Sequence, residues 1–402
     1  MLLLVAALCG TAMTGNGAAP SGTEVRALWV TRSSLSSPDT IQRLVSAASA
    51  NGFNTLFVQV RGRGDAYFNL GLEVRATALA SQPDDFDPLA ETLARARDAG
   101  LRVHAWVNVN LVSSATELPS SRDHVIYEHP EWLMVPRELA PELLTTDARS
   151  PEYLGRLARW TRANAGSVEG LYVSPIHAAA QDRLAAIVSD LVTRYAVDGL
   201  HLDYVRYPGP AFDYSREAVL AFETDMRTRL TPAERARVAT LEAIDPYAWP
   251  EAFPDEWRHF RQSRLTSLVT RLRTTAKRAR SEIIVSAAVL PDVNAALTDK
   301  LQDWRTWVDS GFLDALCPMA YTTDAETFET QITAVRALAG FKPVWAGIGA
   351  YRLTAGDTIN NIAIARRIGA SGIILFSYDS LTSPPNGPEY LAAVGRAAFA
   401  GS

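Results

Sequence analysis

The stretch QDRLAAIVSDLVTRYAVDGLHLDYVRYP, residues 181–208, combines two patterns that together decide the fold. Its first part has the three- and four-residue spacing of apolar side chains that is typical of a helix, and DGLHLDYVR (198–206) is a short apolar and aromatic run typical of a buried strand. Gly199 lies between the two parts, near the usual end of a helix. The stretch therefore predicts a helix, a glycine turn and a strand.

The same unit recurs along the chain, which predicts βα units on a parallel sheet. Eight units favour a closed (β/α)8 TIM barrel, in which helices cover each strand outside and packed side chains fill the inside. A doubly wound open sheet is the alternative. Two connections, residues 110–177 after the third strand and 207–253 after the fourth, are long loops that we expect to wall an extended substrate. The predicted strands are EVRALWV (24–30), NTLFVQV (54–60), RVHAWVNV (102–109), DGLHLDYVR (198–206), EIIVSAAVL (282–290), LDALCPMAY (313–321), PVWAGIGAY (343–351) and GIILFSYD (372–379).

The N-terminus, MLLLVAALCGTAMTGNGAAPSG (1–22), has the apolar segment and small-residue stretch of a secretory signal peptide. It is shorter than the ~20 apolar residues that cross a bilayer. We therefore expect an exported protein, periplasmic or extracellular, with residues 23–402 as a single catalytic domain. Membrane anchoring would require lipidation at Cys9. The mature chain keeps only Cys317, so it can form no intrachain disulfide.

The overall charge argues against one class of partner. A formal net charge of −5 and a pI near 5.8 give no electrostatic reason to bind a phosphate backbone, so nucleic acid is not an expected partner. The sequence has no His-x-His, HExxH or cysteine cluster, which gives no support for a metal site, and no cofactor is predicted.

Side chains alternate along a strand, so Leu200 and Leu202 are predicted to face the helices while His201 and Asp203 face the barrel axis. Asp203 is nearer the C-terminal end of its strand, where barrel enzymes place catalytic groups, and a buried carboxylate is costly unless it is paired or useful. Asp203 is therefore the first catalytic candidate. The alternatives are a salt bridge to an arginine or a hydrogen bond to His201, which itself is predicted to be a hydrogen-bonded core residue.

Asp203 is expected to act as nucleophile or base, and three other carboxylates are candidates for the partner acid. Asp65 lies in QVRGRGDAYF (59–68), directly after the second strand, although a glycine-rich turn held by an Arg–Asp pair explains this segment equally well. Asp292 and Asp379 follow the fifth and eighth predicted strands.

Aromatic and polar residues are concentrated at the predicted strand ends. Aromatic faces beside amide, guanidinium and carboxylate groups suit sugars, whose C–H faces stack on rings while their hydroxyls form directed hydrogen bonds. The predicted substrate-binding residues are Trp29, Gln59, Arg61, Arg63, Trp106, Asn108, Asn110, Tyr204, Tyr207, Tyr321 and Tyr351.

The ordered segments EVRALWV, FVQVRGRGDAYF, HAWVNVN, HPEWL, VDGLHLDYVRYP and LCPMAY resemble the glycosyl hydrolase-like 10 family. The resemblance covers roughly residues 24–320. It implies a (β/α)8 barrel in an exported bacterial protein, often a lipoprotein, and a glycosidase, with some members linked to hydrolysis of peptidoglycan glycan strands lacking stem peptides. Much of the family carries two consecutive acidic residues in the fourth-strand motif, and here Tyr204 replaces the second one.

These observations predict an exported glycoside hydrolase that cleaves a polysaccharide by two-carboxylate acid/base catalysis, with peptidoglycan glycan as the leading substrate. The alternative is a carbohydrate-binding pseudoenzyme on the same barrel, which the replacement by Tyr204 favours. A third possibility is a cytoplasmic barrel enzyme acting on a phosphorylated metabolite, which requires that residues 1–22 are not a signal.

Overall fold

The computed structural model describes residues 24–69 and 71–400. The predicted signal peptide and Cys9 lie outside these ranges. Within them, no helix is long and apolar enough to cross a bilayer.

The described chain forms a closed barrel of eight parallel strands, which confirms the predicted fold class. Strand β1 pairs with both β2 and β8, so the sheet closes on itself. Each predicted strand is present. The fourth, seventh and eighth strands end three residues earlier than predicted, the fourth because the backbone turns at Tyr204. The barrel strands are β1 (Val25–Val30), β2 (Thr55–Arg61), β3 (Arg102–Asn108), β4 (Gly199–Asp203), β5 (Ile284–Val289), β6 (Ala315–Ala320), β7 (Trp345–Ile348) and β8 (Gly372–Phe376). Two short strands, Asp65–Ala66 and Val74–Arg75, extend the sheet beside β2.

Helices cover the outside of the barrel. Many begin with a side-chain cap, such as Ser37, whose hydroxyl accepts the Thr40 amide of α1 in a capping box. The α-helices are α1 (Pro38–Ala50), α2 (Pro88–Asp98), α3 (Val125–Glu128), α4 (Ala140–Leu144), α5 (Pro151–Ala163), α6 (Ala178–Arg194), α7 (Arg216–Arg227), α8 (Pro232–Glu242), α9 (Ala248–Ala252), α10 (Pro254–Ala279), α11 (Val293–Asp299), α12 (Trp304–Asp309), α13 (Ala325–Leu338), α14 (Ala355–Ile368), α15 (Tyr378–Thr382) and α16 (Pro388–Val394).

Two kinds of core hold the barrel together. The outward faces of the strands, including Leu200 and Leu202, pack with the helices in one large apolar cluster. The inward faces form a separate cluster that is rich in rings, including Trp29, Phe57 and Trp345. The inside of the barrel is therefore a packed aromatic layer beneath the C-terminal ends of the strands.

The connections after β3 and β4 carry most of the additional structure. The chain between β3 and α6 contains α3, α4 and α5, and the chain between β4 and α10 contains α7, α8 and α9. Their side chains form two further apolar clusters, one around Trp132 and Tyr153 and one around Phe222 and Trp257. These long segments are thus folded parts of the protein with cores of their own.

A Gly199→Ala substitution is expected to destabilise the barrel. A methyl group at this position would lie 2.2 Å from Nδ1 of His104, whose ring is buried and stacks 4.5 Å from Phe57. Because the ring has no free space to move into, overpacking should lower the free energy of unfolding by about 1–3 kcal/mol. Denaturant unfolding measures this change, and a Gly166→Ala variant, where no atom lies within 4 Å of the added methyl, is the matched control.

Candidate active site

A cleft of about 550 Å³ opens at the C-terminal ends of the strands, and we call it the mouth cleft. Side chains from β1, β2, β3, β4, β5, β6 and β8, or from the residues directly after them, form its walls. Its size lies within the range of small-molecule sites. The lining residues are Trp29, Thr31, Arg32, Gln59, Arg63, Trp106, Asn108, Leu111, Asp203, Tyr204, Arg206, Ala288, Leu290, Met319, Tyr321 and Phe376.

Asp203 is the last residue of β4 and is the one carboxylate among the described residues that line the mouth cleft. It is 8% exposed, and its Oδ1 accepts the Tyr204 backbone amide at 2.6 Å. Burial raises the pKa of Asp203, although Arg206, the Tyr204 amide and Trp106 act in the opposite direction. Compared with an exposed aspartate, this carboxyl group is therefore shifted toward its protonated form.

The backbone at Tyr204 has a φ of 48°, a left-handed conformation that is uncommon for a residue other than glycine. Strand alternation stops at this point, so Tyr204 lines the mouth cleft while it also packs against the edge of the large apolar cluster that contains Leu200 and Leu202. The Arg206 guanidinium lies 4.6 Å from the centre of the Tyr204 ring and forms an ion pair with Glu169 at 3.1 Å. Arg206 thus pairs with a carboxylate other than Asp203.

A chain of amide groups connects β2 and β3 beside Asp203. Asn108 is the register partner of Asp203, and its Oδ1 accepts Trp106 Nε1 at 2.8 Å. Asn108 Nδ2 donates to the Gly62 carbonyl at 2.6 Å, while Gln59 Nε2 donates to Asn108 Oδ1 at 3.4 Å. These bonds fix the Trp106 ring and the two amide groups in place before any ligand arrives.

One side of the mouth cleft is a wall of aromatic rings. Tyr321 and Phe376 stack with their centres 5.4 Å apart, and Trp29 contacts both rings from the barrel interior. Tyr351 is 45% exposed and packs on Phe376 at 5.8 Å, so it extends the wall toward solvent at the rim. Burial, together with Asp203, raises the pKa of Tyr321 well above its usual range, which keeps the phenol neutral. Such a wall suits the apolar face of a sugar ring.

Beneath the mouth cleft, His201 is a hydrogen-bonded core residue, as the sequence predicts. Its Nε2 accepts Trp29 Nε1 at 3.1 Å, and its Nδ1 lies 3.0 Å from Ser286 Oγ. Burial lowers the pKa of His201 well below its usual range, so the ring is neutral. Because Nε2 accepts from Trp29, the proton is on Nδ1, which donates a hydrogen bond to Ser286 Oγ. The indole of Trp29 is thereby fixed from below.

Arg61 does not point into the barrel, and its predicted orientation is wrong. A β-bulge between Gln59 and Arg61 shifts the register of β2 against β3, which reverses the alternation at this residue. Arg61 is 2% exposed and forms a two-pronged ion pair with Glu73, at 2.9 and 3.0 Å, while also donating to the Asn108 carbonyl. Its role in the structure is to hold the chain after β2 against β3.

Two further predicted sugar contacts lie outside the mouth cleft because their side chains point into the surrounding core. Tyr207 is fully buried in the layer between barrel and helices, and its hydroxyl donates to the Arg261 carbonyl at 3.3 Å. Asn110 is also buried, and its Nδ2 donates to the Val173 carbonyl at 2.9 Å. The Tyr207 bond joins the connection after β4 to α10, and the Asn110 bond joins the two ends of the connection after β3.

Asp292 and Asp379 also lie outside the mouth cleft, and each carboxylate has a structural role. Asp292 is exposed and caps α11 by accepting the amides of Asn294 and Ala295. Asp379 accepts the Thr31 amide at 2.7 Å and the hydroxyls of Ser33 and Ser34, which ties the ends of β1 and β8 together. Neither carboxylate therefore lines the mouth cleft with Asp203.

Asp65 lines a second cleft, of about 350 Å³, which we call the side cleft. Its Oδ1 accepts the Arg63 amide at 2.8 Å, as in the glycine-rich turn that the sequence offered as an alternative. The side cleft and the mouth cleft share Arg32 and Arg63 as lining residues. The two clefts are thus neighbours, and a long substrate could occupy both.

The sequence did not predict Arg32, Phe376 or Arg206 as cleft residues. Phe376 has the same parity as Ile374, which is inside the barrel, so strand alternation could have identified it. Arg32 lies in the single turn Arg32–Leu35 after β1, where no alternation applies. No group of three or more potential metal ligands occurs in the ranges that the structure describes.

A match to a protein-family profile identifies the family of this chain. The profile of the family described as glycosyl hydrolase-like 10 matches residues 24–360. The chain belongs to this family. The resemblance predicted from the ordered motifs is therefore confirmed, and a glycosidase-type protein is supported at the level of the family.

Individual relatives agree with this placement. The chain is 26% identical over 297 residues to the glycosyl hydrolase DigH of Escherichia coli strain K12, which covers 70% of this chain and 56% of DigH. It thus spans about half the length of the curated relatives it matches. Among solved structures, the glycoside hydrolase domain of PgaB (BpsB) from Bordetella bronchiseptica has a TM-score of 0.63 at 17% identity, covering 93% of this chain and 99% of that one. The catalytic domain of β-amylase from Paenibacillus polymyxa has a TM-score of 0.61 at 10% identity, covering 94% and 99%. These structures share the barrel fold.

Proposed function

We propose that this protein is an exported glycoside hydrolase that cleaves a polysaccharide, with peptidoglycan glycan strands as the leading substrate. The observation that carries the proposal is the buried Asp203, whose pKa burial raises, facing a ring-lined cleft at the mouth of the barrel. A protonated carboxyl group in such a place suits donation of a proton to a glycosidic oxygen. Export rests on the signal-like residues 1–22.

The second group of the reaction comes, in our proposal, from the substrate. The usual mechanism uses two carboxylates, whereas the described residues lining the mouth cleft include Asp203 alone. The carbonyl oxygen of a 2-acetamido group can attack the anomeric carbon while Asp203 protonates the leaving oxygen. Water then opens the cyclic intermediate and gives its proton back to Asp203, so the products keep their anomeric configuration. This route requires an N-acetylated amino sugar, which peptidoglycan glycan contains.

Asp65 is the rival second carboxylate. It lies in the side cleft next to Arg63, so a two-carboxylate reaction would need the scissile bond to lie between the two clefts. Under the substrate-assisted mechanism, Asp65→Asn should change kcat/KM by less than about 10-fold, since loss of a true catalytic acid or base costs ~10²–10⁴-fold.

The experiment is incubation of the purified protein with peptidoglycan glycan strands, with and without stem peptides, followed by mass spectrometry of the products. We expect shorter sugars, inhibition by a thiazoline analogue of the cyclic intermediate, and no cleavage of the same strands after N-deacetylation. Equal cleavage of N-deacetylated strands would refute substrate assistance while leaving the hydrolase standing. A ~10³-fold loss of kcat/KM in Asp65→Asn would support the two-carboxylate mechanism instead.

The second candidate function is a carbohydrate-binding pseudoenzyme. It is favoured by the replacement of the family's second acidic residue by Tyr204 and by the single carboxylate of the mouth cleft. Binding of glycan strands without any product, unchanged in an Asp203→Asn variant, would support it against the hydrolase.

A further inference from the structure

Arg32 and Arg63 bring two positive charges to the boundary between the mouth cleft and the side cleft. Neither guanidinium forms an ion pair with a carboxylate in the described part of the chain. Arg32 Nη1 donates to the neutral amide of Gln59 at 3.3 Å. Burial, and next the charge of Arg32, lower the pKa of Arg63, and the nearby Asp65 and Glu117 do not compensate. The boundary therefore holds two like charges, and the nearby carboxylates of Asp65 and Glu117 line the side cleft without forming an ion pair with either guanidinium.

The backbone beneath Arg32 leaves space for its side chain. A methyl group on Gly62 would lie 2.5 Å from Arg32 Nη1 and 2.9 Å from its Cδ. The Arg32 side chain thus rests directly on the glycine, and Gly62 itself is held by Asn108 Nδ2 through its carbonyl. The position of the guanidinium depends on the absence of a side chain at residue 62.

The other arginines near these clefts are already occupied. Arg61 is paired with Glu73, and Arg206 is paired with Glu169. Arg75 donates to Asn69 Oδ1 and to the carbonyls of Phe86 and Pro83. Arg32 and Arg63 differ from Arg61 and Arg206 because no carboxylate pairs with them in the described residues. They differ from Arg75 because three oxygen acceptors occupy its guanidinium, whereas Arg32 donates to the neutral amide of Gln59.

We propose that Arg32 and Arg63 form a binding site for a carboxylate group carried on a sugar of the glycan. Guanidinium groups bind carboxylates by paired, charge-assisted hydrogen bonds, and here a carboxylate would also relieve the repulsion between the two arginines. The proposal rests on the proposed function and sharpens it. In peptidoglycan, the 3-O-lactyl carboxylate of muramic acid is free where the stem peptide has been removed and is an amide where the peptide is present. The arginine pair would thus select strands without stem peptides.

The test measures binding in the full chain carrying Asp203→Asn, so that turnover does not enter. Calorimetry compares a tetrasaccharide of alternating N-acetylglucosamine and N-acetylmuramic acid without peptides, the same tetrasaccharide with stem peptides, and neutral chitotetraose. We expect the peptide-free anionic ligand to bind most tightly. Arg32→Gln and Arg63→Gln should each weaken it by about 10- to 100-fold while changing chitotetraose binding by less than about 3-fold.

Two further variants make the result specific. Gly62→Ala keeps both charges but displaces the Arg32 guanidinium. It should therefore also weaken binding of the anionic tetrasaccharide more than binding of neutral chitotetraose. Arg367→Gln removes a charge from the exposed side of α14 and should leave both affinities unchanged. Tetragalacturonate, which carries its carboxylates at another position of the ring, serves as a probe for uronates. If it binds more tightly than the lactyl-bearing ligand, the site is still for a sugar carboxylate but its source is a uronate.

Equal losses of affinity for neutral and anionic ligands, or no loss of affinity in either arginine variant, would refute the proposed carboxylate site. Failure of the proposed function gives a different result: a wild-type chain that binds the anionic glycan through both arginines but releases no product supports the site and refutes the hydrolase. The two failures are therefore distinguishable in one set of proteins.

Discussion

Asp203→Asn is expected to lower kcat/KM on glycan strands by about 10³-fold while leaving the protein folded. The amide has nearly the same shape as the carboxylic acid but cannot donate the proton to the leaving oxygen, and loss of a general acid costs ~10²–10⁴-fold. Steady-state kinetics on peptide-free strands measures the change. Asp292→Asn is the matched control, because its carboxylate caps an exposed helix outside the mouth cleft.

The raised pKa of Asp203 fixes the sign of two pH effects. Since the protonated form is the active one, kcat/KM should fall as pH rises through this pKa, and that alkaline limb should be absent from the residual activity of Asp203→Asn. The folded state also holds this proton more tightly than the unfolded state. The contribution of Asp203 to stability is therefore fully present below the unfolded pKa and is lost as pH rises through the folded pKa.

The stability effect provides an independent check. At neutral pH, Asp203→Asn removes the cost of ionising a buried group, so its melting temperature should equal or exceed that of the unchanged protein. A variant that loses activity and also melts well below the unchanged protein would indicate that Asp203 supports the fold, which would contradict its assignment as the proton donor.

The barrel itself could be predicted because it depends on patterns that the backbone imposes everywhere. Each βα unit shows a helical spacing, a turn and a buried run, and closure follows from counting eight of them. Strand parity also predicted that Asp203, Gln59 and Trp106 point inward, since alternation holds as long as a strand stays regular. These three residues are in the mouth cleft.

The orientations of Arg61 and Tyr204 do not follow strand alternation, because the backbone departs from regularity at both residues. The bulge in β2 sends Arg61 away from the barrel axis, and the left-handed Tyr204 ends the alternation of β4 one residue after Asp203. Gly62 follows the bulge directly, whereas no glycine or proline lies within two residues of Tyr204. Asp292 and Asp379 were predicted from their positions after strands, where an aspartate serves equally well as a helix cap or a loop tie. The position of an aspartate along the chain does not determine which backbone amides donate hydrogen bonds to its carboxylate.

Arg61→Met is expected to reduce the free energy of unfolding by about 3–5 kcal/mol, the cost of leaving one partner of a buried ion pair alone. Arg61 and Glu73 are almost completely buried, so Glu73 would lose both of its guanidinium contacts without gaining access to water. The Asn108 and Val109 carbonyls would lose a donor as well. Urea unfolding measures the change.

The double variant Arg61→Met/Glu73→Leu distinguishes a structural role for Arg61 from a role in sugar binding. Replacing both charges with apolar side chains removes the unpaired carboxylate, so most of the lost stability should return. Because Arg61 does not line the mouth cleft, kcat/KM of the refolded double variant should stay within about 10-fold of the unchanged protein. If stability returned while kcat/KM remained ~10³-fold low, Arg61 would have to act on the substrate, and the outward orientation produced by the bulge would not be the one that the enzyme uses.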